Sequence, residues 1–292
     1  MHDEDQGRHV DVGDTRLWVV ERGPGDGYPL FVLHGGPGLD HHMFGDYLDP
    51  LTEHGYRLLL VDQRAQGRSD GAPEASWSLG RMAEDVVALG RSLGFGRYAV
   101  LGHSYGAFVA LQNAVDFPGM AAQTIVSSGL PSTRYLEHVW RNLEAFEPEE
   151  LREQVTRSWE REPDAATQGD VASLLHDQLP FQFGDPRDPR IAEFERRTAG
   201  AVFAPEVLSF FARQEYGGIE LEDRLREITQ AVLVLGGELD RTCLPEAVEA
   251  MARRIPGAEL QVFEGSGHMT YVEANERYLE VVRAFLDRLR EG

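Results

Sequence analysis

Gly102-His103-Ser104-Tyr105-Gly106 lies between a short apolar run, Tyr98–Leu101, and a helix-forming stretch, Ala107–Ala114. The pattern G-x-S-x-G between a strand and a helix is typical of a sharp turn that exposes the serine hydroxyl above the helix N-terminus. A serine hydroxyl is a poor nucleophile unless a neighbouring base removes its proton. Ser104 is therefore a candidate nucleophile whose partners must come from other parts of the chain.

On both sides of this turn, apolar runs alternate with amphipathic stretches. The predicted strands are 8–12 and 15–21, which form a hairpin, and then 30–33, 57–61, 98–101, 122–126, 231–235 and 259–263. The predicted helices are 43–53, 79–93, 107–114, 245–254 and 275–289. Because most of the strands are apolar throughout, we expect an α/β fold with a mostly parallel sheet covered by helices on both faces.

The alternation stops near Pro131, and residues 132–218 are helical and heavily charged, with no convincing strand. A helical insertion between two strands is best interpreted as a lid over the C-terminal edge of the sheet, where ligands bind in open α/β folds. The predicted organisation is a first core segment at 1–131, a helical cap at 132–218 and a second core segment at 219–292.

The charge and composition narrow the choice of partners. The 292 residues carry a net charge of −21, which argues against nucleic acid and anionic membranes as partners. A single cysteine, Cys243, excludes an intramolecular disulfide and fits a reducing compartment. The polar stretch Met1–Gln6 does not look like a signal peptide, and no apolar run approaches the roughly 20 residues that cross a bilayer. A cytoplasmic protein is therefore expected.

An activated serine needs a histidine base and an acid that orients this base. In one known arrangement of this kind of fold, the chain order is serine, acid, histidine. Asp240 follows the predicted strand 231–235, and His268 follows the predicted strand 259–263. Both residues lie on loops at the sheet edge that carries Ser104, so they are the candidate acid and base.

Other interpretations of these two residues stay open at this stage. His268 could be an ordinary surface-loop histidine, and Asp240 could cap a turn or helix before Pro245. Glu238 is a rival acid, since it lies two residues earlier and nearer to the end of the strand.

His34-Gly35-Gly36-Pro37-Gly38 directly follows the predicted strand 30–33. Glycines let the backbone approach a substrate and turn N–H groups inward, and this fold has one oxyanion donor on such a loop. The candidate donors are the backbone N–H groups of Gly36 and of Tyr105, the residue after the serine. Gly35 is a candidate for a backbone contact with the substrate, and an ordinary glycine turn is the alternative for the whole loop.

His34 lies close in sequence to His41 and His42, which raises the question of a metal site. Their spacing matches no zinc pattern, and loop-bracing or solvated roles fit these histidines better. No metal and no cofactor are expected.

Taken together, the motifs resemble those of α/β-hydrolases of the proline iminopeptidase type, the S33 group of serine aminopeptidases. The likeness rests on 34–38, on Asp62-Gln63-Arg64-Ala65-Gln66-Gly67-Arg68-Ser69, on 102–106 and on the two loops after the later strands. It covers nearly the whole chain and is weakest in the cap. The resemblance implies a metal-free peptidase that removes an N-terminal residue, often proline, from short peptides. It also implies that Ser104, Asp240 and His268 form a catalytic triad.

At two positions near the expected substrate amine, the residues of this chain can be compared with those of the family. Its members usually have a glutamate after the triad aspartate, whereas this chain has Arg241, a cation that should repel a substrate ammonium. A second family glutamate comes from the end of the cap, and Gln214-Glu215-Tyr216 resembles that motif. Glu215 is therefore a candidate amine anchor, with a solvated cap carboxylate as the alternative.

Three functional hypotheses follow. The first is a serine hydrolase that acts by acyl transfer as an aminopeptidase on short peptides. The second is an esterase or lactonase on a small neutral ester, which Arg241 favours. The third is a non-catalytic protein that binds a small ligand on a hydrolase scaffold. The expected partner is a small-molecule or short-peptide substrate, and the sequence specifies no oligomeric state.

Overall fold

The computed structural model describes residues 6–290, so most of the polar stretch Met1–Gln6 lies outside the described residues. Within this range the chain forms one eight-stranded sheet in the order β1-β2-β4-β3-β5-β6-β7-β8. The strands are β1 (Gly7–Asp11), β2 (Arg16–Arg22), β3 (Tyr28–Leu33), β4 (Tyr56–Val61), β5 (Ala99–His103), β6 (Gln123–Ser127), β7 (Ala231–Gly237) and β8 (Glu259–Phe263). The β1–β2 and β2–β4 pairs are antiparallel, and the remaining pairs are parallel. The predicted mostly parallel sheet is confirmed.

The core helices are α1 (Leu79–Ser92), α2 (Tyr105–Asp116), α9 (Pro245–Arg254), α10 (Thr270–Glu273) and α11 (Asn275–Arg290). Helices α1, α2 and α9 cover one face of the sheet, and α11 covers the other. Strands β3, β5 and β6 are buried along nearly their whole length because helices pack on both sides. This packing explains why β3 and the first part of β5 are continuous apolar runs.

The helix predicted at 43–53 is not formed. The chain instead makes two short 3-10 turns, His41–Phe44 and Asp49–His54, separated by Gly45 at φ 46°. The positive φ of Gly45 stops the first turn, and Pro50 lacks the N–H that would continue an α-helix into the second. Phe44, Tyr47, Leu48 and Leu51 of this segment are buried.

The cap helices are α3 (Leu136–Glu144), α4 (Glu149–Arg161), α5 (Gln168–Gln182), α6 (Arg190–Arg197), α7 (Pro205–Ala212) and the short turn α8 (Glu215–Gly218). They lie between β6 and β7, and an isolated antiparallel bridge joins Ser132 to Glu220 at their base. The N–H of Thr133 donates to the carbonyl of Ile219 at 2.9 Å beside this bridge. The predicted boundaries at 131/132 and 218/219 flank the same bridge.

None of the helices within residues 6–290 is both long enough and apolar enough to cross a bilayer.

Candidate active site

Ser104 lies at the turn between β5 and α2, with φ 56° and ψ −120°. A non-glycine residue in this region is strained by about 1–3 kcal/mol, and such strain is common at functional turns. A Cβ at Gly102 would lie 2.0 Å from the carbonyl oxygen of Gly106, and a Cβ at Gly106 would lie 2.2 Å from that of Leu33. Both glycines are therefore required by backbone contacts, which explains the spacing of the G-x-S-x-G pattern.

His268 and Asp240 are both buried, and a hydrogen bond joins them, with 2.9 Å between His268 Nδ1 and Asp240 Oδ2. The backbone N–H groups of Cys243 and Thr242 donate to Asp240 Oδ1 at 2.8 and 2.9 Å. Burial opposes ionisation of Asp240, but His268 and these N–H groups favour the carboxylate more strongly and lower its pKa to about 2. An ionised Asp240 accepts the Nδ1 proton of His268, which leaves Nε2 free to act as a base.

Thr242 was not predicted from the sequence as part of this arrangement. Its hydroxyl lies 2.8 Å from Asp240 Oδ1 and 2.8 Å from His268 Nδ1. The only signal available was its position two residues after a candidate acid. Glu238, the rival acid, is exposed and accepts the N–H of Gly265 at 2.9 Å. The structure therefore brings Asp240 to the histidine and directs Glu238 elsewhere.

A second buried imidazole lies beside that of His268. The ring of His103 lies 4.9 Å from that of His268, and His103 Nδ1 is 3.2 Å from the hydroxyl of Ser127. Burial, reinforced by the charge of His268, holds the pKa of His103 well below its usual value. His103 is thus a neutral packing partner at neutral pH.

Ser104 and His268 line one cavity of about 350 Å³ between the sheet edge and the cap. Gly36 and Pro37 of the glycine loop form part of the same wall. Most of the remaining lining is apolar and comes from the cap: Leu174, Leu175, Leu179, Phe194, Phe203 and Leu208. A substrate that reaches Ser104 is therefore surrounded mainly by cap side chains.

The glycine loop is braced by the motif that follows β4. Gln63 donates its backbone N–H to His34 Nε2 at 3.1 Å and its amide to the carbonyl of His34 at 2.8 Å. Gln66 Oε1 accepts the N–H of Gly38 at 2.7 Å. Both ends of the loop are therefore held in place, which gives a structural reason for the Asp-Gln-Arg motif.

Gly36 has φ 111°, a conformation that favours glycine, and it lies on the cavity wall. Tyr105 is the first residue of α2, and the N–H groups of a first turn have no partner within the helix. The backbone of both residues thus suits the predicted oxyanion donors, while the ring of Tyr105 is buried in the core.

Gly35 lies outside the cavity lining. Its N–H donates to Met43 Sδ at 2.7 Å, and a Cβ at this position would lie 3.0 Å from Ser104 Cβ. Its missing side chain makes room for the serine, and its N–H is already used within the protein.

Arg64, in the motif that follows β4, forms a buried ion pair that was not predicted from the sequence. Its guanidinium donates to Asp85 at 2.6 and 2.8 Å and to Asp14 at 2.8 Å. The side chain of Arg64 is fully buried and that of Asp85 is 4% exposed. Asp85 within the apolar face of α1 was the signal that could have identified the pair.

The guanidinium of Arg241 is directed away from the cavity. The repulsion of a substrate ammonium that the sequence led us to expect therefore does not follow from its position. Its guanidinium donates to the carbonyls of Phe181 at 3.2 Å, Phe183 at 2.6 Å and Gly184 at 2.9 Å, all in the cap. It also lies 5.1 Å from the ring centre of Phe146. Arg241 is outside the lining of the cavity beside Ser104.

The structure does not bring Glu215 to Ser104. Glu215 is exposed and lines a different cavity of about 680 Å³, beside Trp140 and Trp159. Its side chain was predicted from a local motif, which carries no information on which cavity it faces.

Glu162 is the buried cap carboxylate on the wall of the Ser104 cavity. It accepts hydrogen bonds from Gln178 Nε2 at 2.6 Å and from the hydroxyl of Tyr216 at 2.5 Å. Burial raises the pKa of Glu162, and these two hydrogen bonds oppose the rise. Sequence analysis missed Glu162 because it lies in a charged run that resembles a solvated helix face.

Comparison with known proteins identifies the fold family. The model of the α/β hydrolase fold family matches residues 28–275. The chain belongs to the α/β hydrolase family. This α/β hydrolase is 28% identical to a proline iminopeptidase of Clostridium botulinum, over 94% of both chains.

Solved structures agree with this assignment. The crystal structure of a proline iminopeptidase from Mycobacterium smegmatis superposes with a TM-score of 0.75 at 26% identity, over 97% of this chain and 98% of that one. An esterase from Exiguobacterium antarcticum also gives a TM-score of 0.75, at 23% identity, over 97% of this chain and 100% of that one. At this identity the esterase supports the fold alone.

Proposed function

We propose that this α/β hydrolase is a serine hydrolase that acts by acyl transfer, with Ser104 as nucleophile, His268 as base and Asp240 as the orienting acid. The observation that carries the proposal is the 2.9 Å hydrogen bond between His268 and Asp240. It lies beside a cavity that Ser104 and His268 both line. The strained turn at Ser104 and the braced glycine loop supply the remaining parts of such a site.

In the proposed reaction, His268 Nε2 takes the proton of Ser104 Oγ as this oxygen attacks the substrate carbonyl. The N–H groups of Gly36 and Tyr105 donate to the oxyanion that forms. His268 then gives its proton to the leaving group, which leaves an acyl-enzyme on Ser104. Water attacks this ester as His268 takes a proton from it, and His268 then returns that proton to Ser104 Oγ as the acid product departs. Each oxyanion donor contributes about 10²–10³ in kcat.

We further propose that the substrate carries an ammonium group on its acyl side, as the N-terminal residue of a short peptide does. The support comes from Glu162, a buried carboxyl group for which residues 6–290 supply no cationic partner. Its two oxygens accept hydrogen bonds from the neutral groups Gln178 and Tyr216, and burial favours the neutral acid. A substrate ammonium that pairs with Glu162 would favour the carboxylate and would itself bind favourably. The apolar cap residues around it suit a compact apolar side chain such as that of proline.

The named relatives support the same choice. The proline iminopeptidase of Clostridium botulinum covers nearly the full length of this chain, and an enzyme of that name matches in structure as well. Release of an N-terminal residue from a short peptide is therefore the proposed activity.

Three substrates test the proposal: a prolyl arylamide, its N-acetyl derivative and a short-chain acyl ester. We expect hydrolysis of the free amine, and loss of activity on the N-acetyl derivative because acetylation removes the cation. Ser104→Ala should abolish turnover of every substrate and labelling by a fluorophosphonate, while thermal unfolding stays close to that of the wild type.

Glu162→Gln, with Glu215→Gln as its matched control, tests the ammonium site. Glu162→Gln should raise KM for the prolyl arylamide by about 10–100-fold, since each tenfold corresponds to about 1.4 kcal/mol of binding free energy. The same change should leave KM for the ester within about twofold. Glu215→Gln removes an equal charge from an exposed site and should leave both substrates unaffected. An unchanged KM in Glu162→Gln contradicts the ammonium site.

The second candidate is an esterase on a small neutral ester, which the apolar cavity lining favours. It requires a higher kcat/KM for the ester than for the arylamide, and no effect of Glu162→Gln on either. Failure of fluorophosphonate to label the wild type would instead favour a ligand-binding protein on this scaffold.

A further inference from the structure

The C-terminal end of α5, in the cap, contacts the loop that carries His268. The last carbonyls of a helix have no partner within the helix and must be satisfied by other groups. Here the carbonyl of Gln182 accepts the backbone N–H of His268 at 2.6 Å. The orientation of the candidate base thus depends in part on a cap helix that is distant in sequence.

Glu273 connects the same two segments through one carboxylate. Its Oε1 accepts the N–H of Gly184, in the cap, at 2.8 Å, and its Oε2 accepts the N–H of Gly267 at 2.9 Å. Gly267 immediately precedes His268. Burial raises the pKa of Glu273, and the two N–H groups oppose this rise because they stabilise the carboxylate. One side chain thus bridges the cap and the histidine loop directly.

Arg241 connects the loop that carries Asp240 to the same segment of the cap. Its guanidinium holds the carbonyls of Phe181, Phe183 and Gly184, and Asn142 of the cap donates to the carbonyl of Arg241 at 3.0 Å. Because Arg241 directly follows Asp240, the loop that carries the acid is tied to the same cap segment as the loop that carries the base.

The backbones in this region are in direct contact. A Cβ at Gly267 would lie 2.5 Å from the carbonyl oxygen of Gln182 and 2.5 Å from the nitrogen of Gly184. A Cβ at Gly184 would lie 2.5 Å from the carbonyl oxygen of Gly265. Such contacts leave no room for a side chain, so the cap segment and the histidine loop have one close-packed arrangement.

We infer that Glu273 and Arg241 are positioning residues, which hold the cap segment Phe181–Gly184 on the loops that carry His268 and Asp240. This inference rests on the proposed function, because it gives His268 the role of base. Its consequence is that this part of the cap is coupled to the alignment of the base as well as to substrate binding. Loosening the contact should therefore slow chemistry more than it weakens substrate binding.

Glu273→Gln tests the coupling with little change in shape. The amide retains one acceptor, but its NH₂ faces one of the two N–H groups that the carboxylate now binds. We expect kcat to fall by about 10–100-fold with KM within about threefold, since small misplacement of catalytic groups costs up to about 10²-fold. The rate constant for fluorophosphonate labelling of Ser104 should fall by a similar factor. Glu276→Gln, three residues later and exposed, removes the same charge and should leave both rates unchanged.

Arg241→Lys tests the contact between the same cap segment and the loop that carries Asp240. It provides an independent test if Glu273→Gln does not fold. Lysine keeps the charge but cannot fork onto several carbonyls or stack as a plane on Phe146. The same loss in kcat and labelling, smaller in size, is expected. A lower unfolding temperature with unchanged kcat and labelling per folded molecule would show a purely structural role and overturn the inference. Absence of labelling in the wild type would instead refute the proposed function.

Discussion

The sheet edge and the cap both line the cavity beside Ser104, but with different kinds of groups. The sheet edge contributes strained or braced backbone and buried polar residues, such as Ser104, Gly36 and His268. The cap contributes mainly apolar side chains and one buried carboxylate, Glu162. We infer from this difference that the sheet edge supplies the candidate catalytic groups, while the cap determines which substrate reaches them.

The two regions also differ in how their charges are used. In the sheet, Asp62 is fully buried and accepts hydrogen bonds from the backbone N–H of His41 at 2.9 Å and of Arg68 at 2.8 Å. In the cap, pairs such as Glu153 with Arg157 are exposed and 3.8 Å apart. Buried networks of this kind specify one geometry, whereas exposed pairs contribute about 0–1 kcal/mol.

The largest effect is expected at Asp240, the proposed orienting acid at the sheet edge. Asp240→Asn should reduce kcat by about 10⁴-fold, because the amide no longer holds His268 in the tautomer that leaves Nε2 free. Steady-state kinetics measure the loss, and Glu238→Gln, on the same loop, serves as the control with near-normal kcat. A loss below about tenfold would mean that the acid lies elsewhere.

The same variant has a pH signature in stability. The folded-state pKa of Asp240, about 2, lies below its ordinary value of 3.8, so its ionisation contributes stability above about pH 4. That contribution is lost as the pH falls from about 4 to 2. The difference in unfolding free energy between wild type and Asp240→Asn should therefore shrink over this range.

A smaller effect is expected at the buried ion pair between Arg64 and Asp85. Arg64→Gln leaves Asp85 buried without its cation, which should lower the free energy of unfolding by about 3–5 kcal/mol. Arg8→Gln, whose pair with Glu21 is half exposed, should change it by less than about 1 kcal/mol. Urea denaturation measures both. Equal losses would remove the distinction between buried and exposed charges.

The smallest effect is expected in the cap. Phe203→Ala enlarges the apolar wall of the cavity and should raise KM by about 3–10-fold, with kcat nearly unchanged, because loss of a few apolar contacts weakens binding by about 1 kcal/mol. Trp140→Ala, in the cap but outside this cavity, is the control. A fall in kcat with constant KM would show that this part of the cap also orients catalytic groups.

Much of the sheet could be predicted because buried strands carry local apolar runs that end at the loops of interest. The segment 43–53 could not, since its apolar spacing resembles a helix while Gly45 and Pro50 break one. In the site, chain order and loop position were enough to single out Asp240 and His268 as candidates. Thr242 and Glu273 carry no comparable signal, because their partners lie across the fold.

The sequence alone determined the turn at Ser104, since Gly102 and Gly106 allow a close backbone approach that a Cβ would block. It also determined the order in which acid and histidine follow that serine. Only the tertiary structure decided that Arg241 binds cap carbonyls, that Glu215 faces another cavity and that Glu162 lies on the wall beside Ser104. Local geometry follows from neighbours in the chain, whereas the direction of a long charged side chain depends on partners that folding brings from far away.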